Sequence, residues 1–170
     1  MNKPLLITMG DPAGIGPEII AKAFRDSPAE LGGCVVVGDV ATLRRAAALT
    51  AAPLALPVAQ LYTLAEAASV PPHCIAVLQK CELAAPVPYG LVSDLAGRAA
   101  AECIVWAARA VLAGEAAAMV TAPIHKEALA AAGGWAAGFP GHTEMLQAEA
   151  AAFLGKPVSD VPVRMMLAND

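Results

Sequence analysis

Three short stretches carry residue types that do chemistry. In "FPGHTE", residues 139–144, His142 stands next to Gly141 at the head of an apolar helical pattern, exposed beside the glycine. A histidine there can donate a hydrogen bond to an anionic oxygen or shuttle a proton. Thr143 can cap the following helix by turning its hydroxyl to backbone N–H groups. Taken alone, the stretch is more simply a capping turn with an incidental surface histidine. In "TAPIHKEAL", residues 121–129, Thr121 sits at a strand end and faces a cleft, and Lys126 at a helix start offers a point charge to a carboxylate or phosphate. The bland reading is a solvated lysine, with His125 a polar filler in the turn. In "ITMGDPAGIGPEII", residues 7–20, Gly10, Gly14 and Gly16 each allow positive φ or a close backbone approach. Pro17 opens a helix whose free N–H groups and dipole suit an anion. The spacing is not a dinucleotide fingerprint, because the third glycine position is Ile19, and no Gly-Lys-Ser/Thr of a Walker loop follows. On chemistry alone, a plain strand-to-helix turn is an equal reading.

Several classes are excluded. The histidines are His73, His125 and His142, with no H-x-x-x-H spacing between them, and no G-x-S-x-G elbow occurs. Cys34, Cys74, Cys81 and Cys103 make no C-x-x-C pair, so reduced, mostly buried thiols are expected rather than a zinc site or disulfide framework. A net charge of −4 without an arginine cluster gives nucleic-acid binding little support. No apolar run reaches membrane-spanning length, and "MNKPLLITMG" is too short in apolar residues for a secretory signal. The expected location is the cytoplasm.

The elements that must hold these residues alternate between strand and helix. "PLLITMG" reads as a buried strand and "PEIIAKAFRD" as a helix. "GGCVVVGD" is a second strand, with Asp39 capping "VATLRRAAAL". Residues 50–88 carry six prolines and yield two weaker strands, "LALPVAQ" and "CIAVLQ". Ser93 caps a long helix ending at Gly114, followed by the strand "AAAMVTAP", the helix "KEALAAAG", a Gly-rich loop and the helix "EMLQAEAAAFLG" closed by Gly155. "VPVRMMLAND" reads as a final strand. Continuous apolar strands imply a parallel-rich sheet with helices on both faces, an α/β fold. Ligands then bind at the carboxyl ends of the strands.

"ITMGDPAGIGPEII", "AGRAAAECIVWAARAVLAGEAAAMVTAPIHKEAL" and "FPGHTEML", in that order, resemble the 4-hydroxythreonine-4-phosphate dehydrogenase (PdxA) family of pyridoxal phosphate biosynthesis. The resemblance spans essentially the whole chain, though residues 50–88 add little to it. It implies an isocitrate/isopropylmalate dehydrogenase-like fold, a homodimer of two-domain subunits, and use of NAD and a divalent metal. It implies oxidation of 4-phosphooxy-L-threonine, with loss of carbon dioxide, to an aminoketone phosphate. The family's substrate-binding His-Thr pair falls on His142 and Thr143, with Asp11 and Lys126 in supporting motifs. Family metal ligands follow the segment like "VRMMLAND", so residues 1–170 are expected to be an N-terminal α/β portion, inactive alone, with metal and most NAD contacts elsewhere and apolar surface left open. Two alternatives stand. One is a relative acting on 4-phospho-D-erythronate or 4-phospho-D-threonate. The other is a non-catalytic half-protein that binds a phosphorylated metabolite.

Overall fold

The computed structural model describes residues 3–51 and 53–168. Five short strands form one parallel sheet: β1 (Leu5–Thr8), β2 (Cys34–Gly38), β3 (Val58–Leu61), β4 (Ile75–Gln79) and β5 (Ala118–Thr121), in the order β3-β4-β2-β1-β5. The central strands are Val/Ile/Leu runs because both their faces are covered, and all five residues of β2 are buried.

Helices α1 (Gly16–Asp26) and α2 (Val40–Leu49) carry the chain from β1 to β2 and on toward β3. Helix α3 (Asp94–Leu112) carries it back across the sheet from β4 to β5. Right-handed crossovers running in opposite directions put their helices on opposite faces. Helices α4 (Lys126–Ala131) and α5 (His142–Leu154) then pack on α3, so that side is two helix layers deep. This explains the alanines. Helix α3 is enclosed between the sheet and two helices, and Ala96, Ala99, Ala100, Ala101, Ala107 and Ala108 let backbones approach on several sides. A second small core, with Ile104, Leu129 and Met145, fills the α3–α4–α5 layer.

Local signals agree with these boundaries. Asp39 Oδ2 accepts the Thr42 N–H at 2.7 Å and so caps α2, and Ser93 Oγ accepts the Ala96 N–H at 3.4 Å at the head of α3. Gly114 and Gly155 end α3 and α5 with φ of 76° and 62°. The weak strands within residues 50–88 are β3 and β4.

Two expectations are corrected. Residues 161–168 form no strand, and Met165, Met166 and Leu167 are 78%, 90% and 93% exposed. A strand needs a neighbour for its ladder, and this segment joins neither edge of the sheet. The last two residues of that expected strand, Asn169 and Asp170, lie outside the described residues. Thr143 does not cap α5 either, because the helix begins two residues earlier than such a cap requires, at His142 with Gly141 at the N-cap position. Among the described residues no helix is long and apolar enough to cross a membrane. The four thiols are free, with Cys34, Cys81 and Cys103 buried and Cys74 half-buried.

Candidate active site at the carboxyl edge of the sheet

The chain leaves β1 and β5 toward opposite faces of the sheet, into α1 and α4, while the loops after these neighbouring strands stay tied together at their bases. In an open parallel sheet this reversal of winding opens a crevice beyond the carboxyl ends. The residues singled out in the sequence come to this edge.

The loop after β1 is stitched to the loop after β5. Gly10 has φ of 74° and lies against the Pro123 carbonyl where no Cβ would fit, and the Asp11 N–H donates to that carbonyl at 3.0 Å. Gly16 approaches the Met9 carbonyl and the Ala122 methyl just as closely, whereas Gly14 has neither positive φ nor a tight contact. Asp11 is 6% exposed, and its Oδ1 accepts the Ala13 N–H at 2.8 Å. The Gly14 N–H returns to the Asp11 carbonyl at 3.0 Å. The opening motif therefore folds on itself in an Asx turn. Its N–H groups at 11, 13 and 14 are spent within the protein, and they do not fit a pyrophosphate cradle.

The cavity lies on the far side of Pro123. It has a volume of about 400 Å³ and is lined by Pro123, Ile124, Lys126, Pro140, Gly141, His142, Thr143 and Glu144. His142, Thr143 and Lys126 thus come together, and Asp11 stands behind the wall. His142 is half-buried rather than exposed, because its ring turns inward from the first position of α5. Its Nε2 is fully covered and has no hydrogen-bond partner among the described residues. Burial lowers its pKa from 6.5, so the ring is held neutral. No side chain caps α5, so the first N–H groups of a 13-residue helix open at the cavity, an arrangement that favours an anion. Lys126, the first residue of α4, adds a positive charge and Glu144 a negative one. Gly141 lies between them, and a Cβ there would make only ordinary contacts, at 3.9 Å to both Lys126 Cε and Glu144 Oε2. The arrangement can hold an anionic, hydroxylated molecule by a neutral imidazole, a hydroxyl, free backbone N–H groups and an ammonium.

Sequence reasoning passed over Pro123 as a wall and Glu144 as the acidic member, although both lie inside the quoted motifs. A cavity of about 430 Å³ at the opposite, amino end of β2 and β4 is lined by Phe24, Leu31, Val70 and prolines together with Cys34, His73 and Cys74, and holds no lysine, arginine or carboxylate. Among the described residues no group of three or more His, Cys, Asp or Glu side chains could hold a metal ion. The residues lining the cavity do not make a metal centre.

Residues 30–170 match the family model described as "Pyridoxal phosphate biosynthetic protein PdxA". The chain belongs to the PdxA family. It is 41% identical over 170 residues to a PdxA-type relative from Beijerinckia indica named 4-hydroxythreonine-4-phosphate dehydrogenase, an alignment covering 100% of this chain and 46% of the relative. It is 40% identical over 149 residues to D-threonate 4-phosphate dehydrogenase of Pectobacterium atrosepticum, covering 86% of this chain and 44% of that one. The crystal structure of 4-hydroxythreonine-4-phosphate dehydrogenase from Klebsiella pneumoniae superposes with a TM-score of 0.77 at 41% identity, covering 87% of this chain and 44% of that chain. A terephthalate 1,2-cis-dihydrodiol dehydrogenase from Burkholderia xenovorans superposes with a TM-score of 0.59 at 25% identity, covering 94% and 43%. The chain spans about half the length of the PdxA-family relatives it matches, and the half it spans contains the whole β1–β5 sheet.

Proposed function

We propose that this chain forms the substrate-holding half of an NAD- and divalent-metal-dependent dehydrogenase of pyridoxal phosphate biosynthesis. The proposed substrate is 4-phosphooxy-L-threonine, whose secondary alcohol is oxidised by hydride loss to NAD. The resulting β-keto acid loses carbon dioxide to leave 3-amino-2-oxopropyl phosphate. The observation that carries this reading is the covered, unpartnered Nε2 of His142 in the cavity shared with Thr143 and Lys126. A buried polar atom without a partner is costly, and a small shift of the groups that cover it would let a ligand oxygen satisfy it. The names of the relatives support the chemical class of that ligand.

In this proposal the neutral His142 ring and the Thr143 hydroxyl hold hydroxyl or phosphate oxygens of the substrate. The open N–H groups of α5 and Lys126 balance its charge. The metal would polarise the reacting oxygen when bound. Its ligands, and the main contacts of NAD, are assigned to the counterpart of the relatives' other half, in a cytoplasmic homodimer. Chain 1–170 alone is accordingly expected to bind substrate and not to turn it over.

The test supplies the relatives' other half in trans. NADH formation is measured with 4-phosphooxy-L-threonine, divalent metal and NAD, using this chain alone and mixed with the complementary portion of the Beijerinckia relative. Turnover only in the mixture, lost by about a hundredfold or more with His142→Ala, is the expected result. Full activity of His142→Ala would overturn the site assignment. The D-threonate 4-phosphate relatives favour a second reading, in which the C2 substituent is a hydroxyl rather than an amine. Faster turnover of D-threonate 4-phosphate in the same assay would select it.

A further inference from the structure

The connection between β4 and α3 lies across the loop after β1, and one side chain fastens the two. Arg45 on α2 donates from Nη1 to the Val87 carbonyl at 2.6 Å and from Nη2 to the Pro12 carbonyl at 3.0 Å. Its guanidinium carbon stands 4.0 Å from the centroid of the Tyr89 ring. The Gly90 N–H donates to the Ala13 carbonyl at 2.8 Å, and Val87 packs with Ala13, Ala96 and Leu83 beneath. Arg45 makes no ion pair among the described residues, and its Nε is buried without a partner. The guanidinium is spent on two backbone carbonyls of different loops and one aromatic face. Only a rigid planar fork reaches all three at once.

The contact continues to the cavity. Pro12 is followed backward in the chain by Asp11, whose N–H holds the Pro123 carbonyl at 3.0 Å, and Pro123 walls the His142 cavity. We propose that Arg45 is a positioning residue for the substrate cavity: through Pro12 and Asp11 it fixes where the Pro123 wall stands relative to His142 and Lys126. This rests on the reading of that cavity as the substrate site. Arg45 touches no substrate in it.

The test is nuclear magnetic resonance of this chain as Arg45→Met, Arg45→Lys and Tyr89→Leu, with 4-phosphooxy-L-threonine titrated afterwards. In Arg45→Met, the amides of Gly90 and Asp11 should exchange at least about tenfold faster while those of Val36 and Val77 in the sheet stay protected, the signature of local rather than global opening. The His142 ring resonances should move in the same variant. Arg45→Lys, which reaches one carbonyl, should give a smaller displacement of the same resonances. Tyr89→Leu, which keeps both hydrogen bonds, should give the smallest. Affinity for the phosphorylated ligand should fall in the same order. A uniform acceleration of all amides, or a His142 ring that does not move in Arg45→Lys, overturns the proposal and leaves Arg45 a general stabiliser. Should Arg45→Met not fold, the graded pair Arg45→Lys and Tyr89→Leu decides the question. If the parent chain binds no phosphorylated hydroxy acid, the substrate reading fails, and the resonances still decide the role of Arg45.

Discussion

Gly97 of α3 lies against the backbone of Ala128 in α4 so closely that a Cβ at position 97 would overlap the Ala128 carbonyl and crowd the Leu129 nitrogen. The short helix that carries Lys126 is seated on this contact, and with it one side of the candidate site.

Gly97→Ala therefore sets two effects against each other. Alanine favours a helix interior by roughly 0.5–1 kcal/mol. Forcing a methyl into a backbone contact costs typically 1–3 kcal/mol. The steric effect should win, because the neighbour is main chain and α4 has to move bodily. Urea unfolding should show a net loss of about 1–2 kcal/mol, with the Lys126 and His142 resonances displaced. A more stable variant would show that α4 yields freely.

Asp39 is 3% exposed and accepts from the Thr42 N–H at 2.7 Å and from Gln79 Nε2 at 3.0 Å. Gln79 also receives the Val40 N–H at 2.8 Å, so the pair joins α2 to the end of β4. Asp39→Ala removes a cap and leaves buried donors short of an acceptor, at a cost of about 2 kcal/mol. Asp39→Asn retains one acceptor oxygen and should lose about half as much. Denaturant midpoints of the two variants check the order.

The neutral His142 gives stability a particular pH dependence. Burial lowers its folded pKa below the 6.5 of an unfolded histidine. In the window between the two values the unfolded chain binds more protons than the folded one. This contribution is complete above the unfolded value, declines as pH falls through the window, and levels off below the folded pKa. His142→Ala should flatten that part of the stability profile. Ring titration by nuclear magnetic resonance should place the His142 midpoint below 6.5, and a midpoint above it would contradict the buried placement.

Thiol chemistry should follow burial. Cys34, Cys74 and Cys103 have pKa values raised above the ordinary 9.0. Desolvation is the cause at Cys34 and the leading one at Cys74, and at Cys103 a hydrogen bond with Cys81 comes first. In the native chain an aromatic disulfide reagent at neutral pH should react slowly, and first at half-buried Cys74. All four thiols should react at once in denaturant. Rapid native labelling of Cys103 would mean that the α3–sheet interface opens.

Much of the fold is legible in the sequence because its determinants are local. The Val run of β2 spells a strand covered on both faces, and Asp39, Ser93, Gly114 and Gly155 mark helix ends through their own side chains or φ values. What escaped depends on distant partners. The apolar pattern of residues 161–168 cannot say whether a neighbouring strand is there to meet it. At "PGHTE" the sequence reads Thr143 as the cap, whereas the backbone has already turned into the helix there, with Gly141 at the N-cap position. The meeting of His142, Thr143 and Lys126 was legible as three residues in two motifs. The burial of Nε2 was not, since it depends on how the loops fold over the ring. The Asx turn at Asp11 could have been read from "GDPAG" itself, and the role of Arg45 could not, because its partners lie 33 and 42 positions away.

The split of the cavity's lining between two chain segments also bears on how this scaffold diversifies. Residues 123–126 form one rim and residues 140–144 the other, so mutation can remodel one while the other keeps its hold on a shared chemical group. Related catalysts can then drift from one sugar-acid derivative to another, or to a ring diol, by trading loop residues while inheriting the framework unaltered.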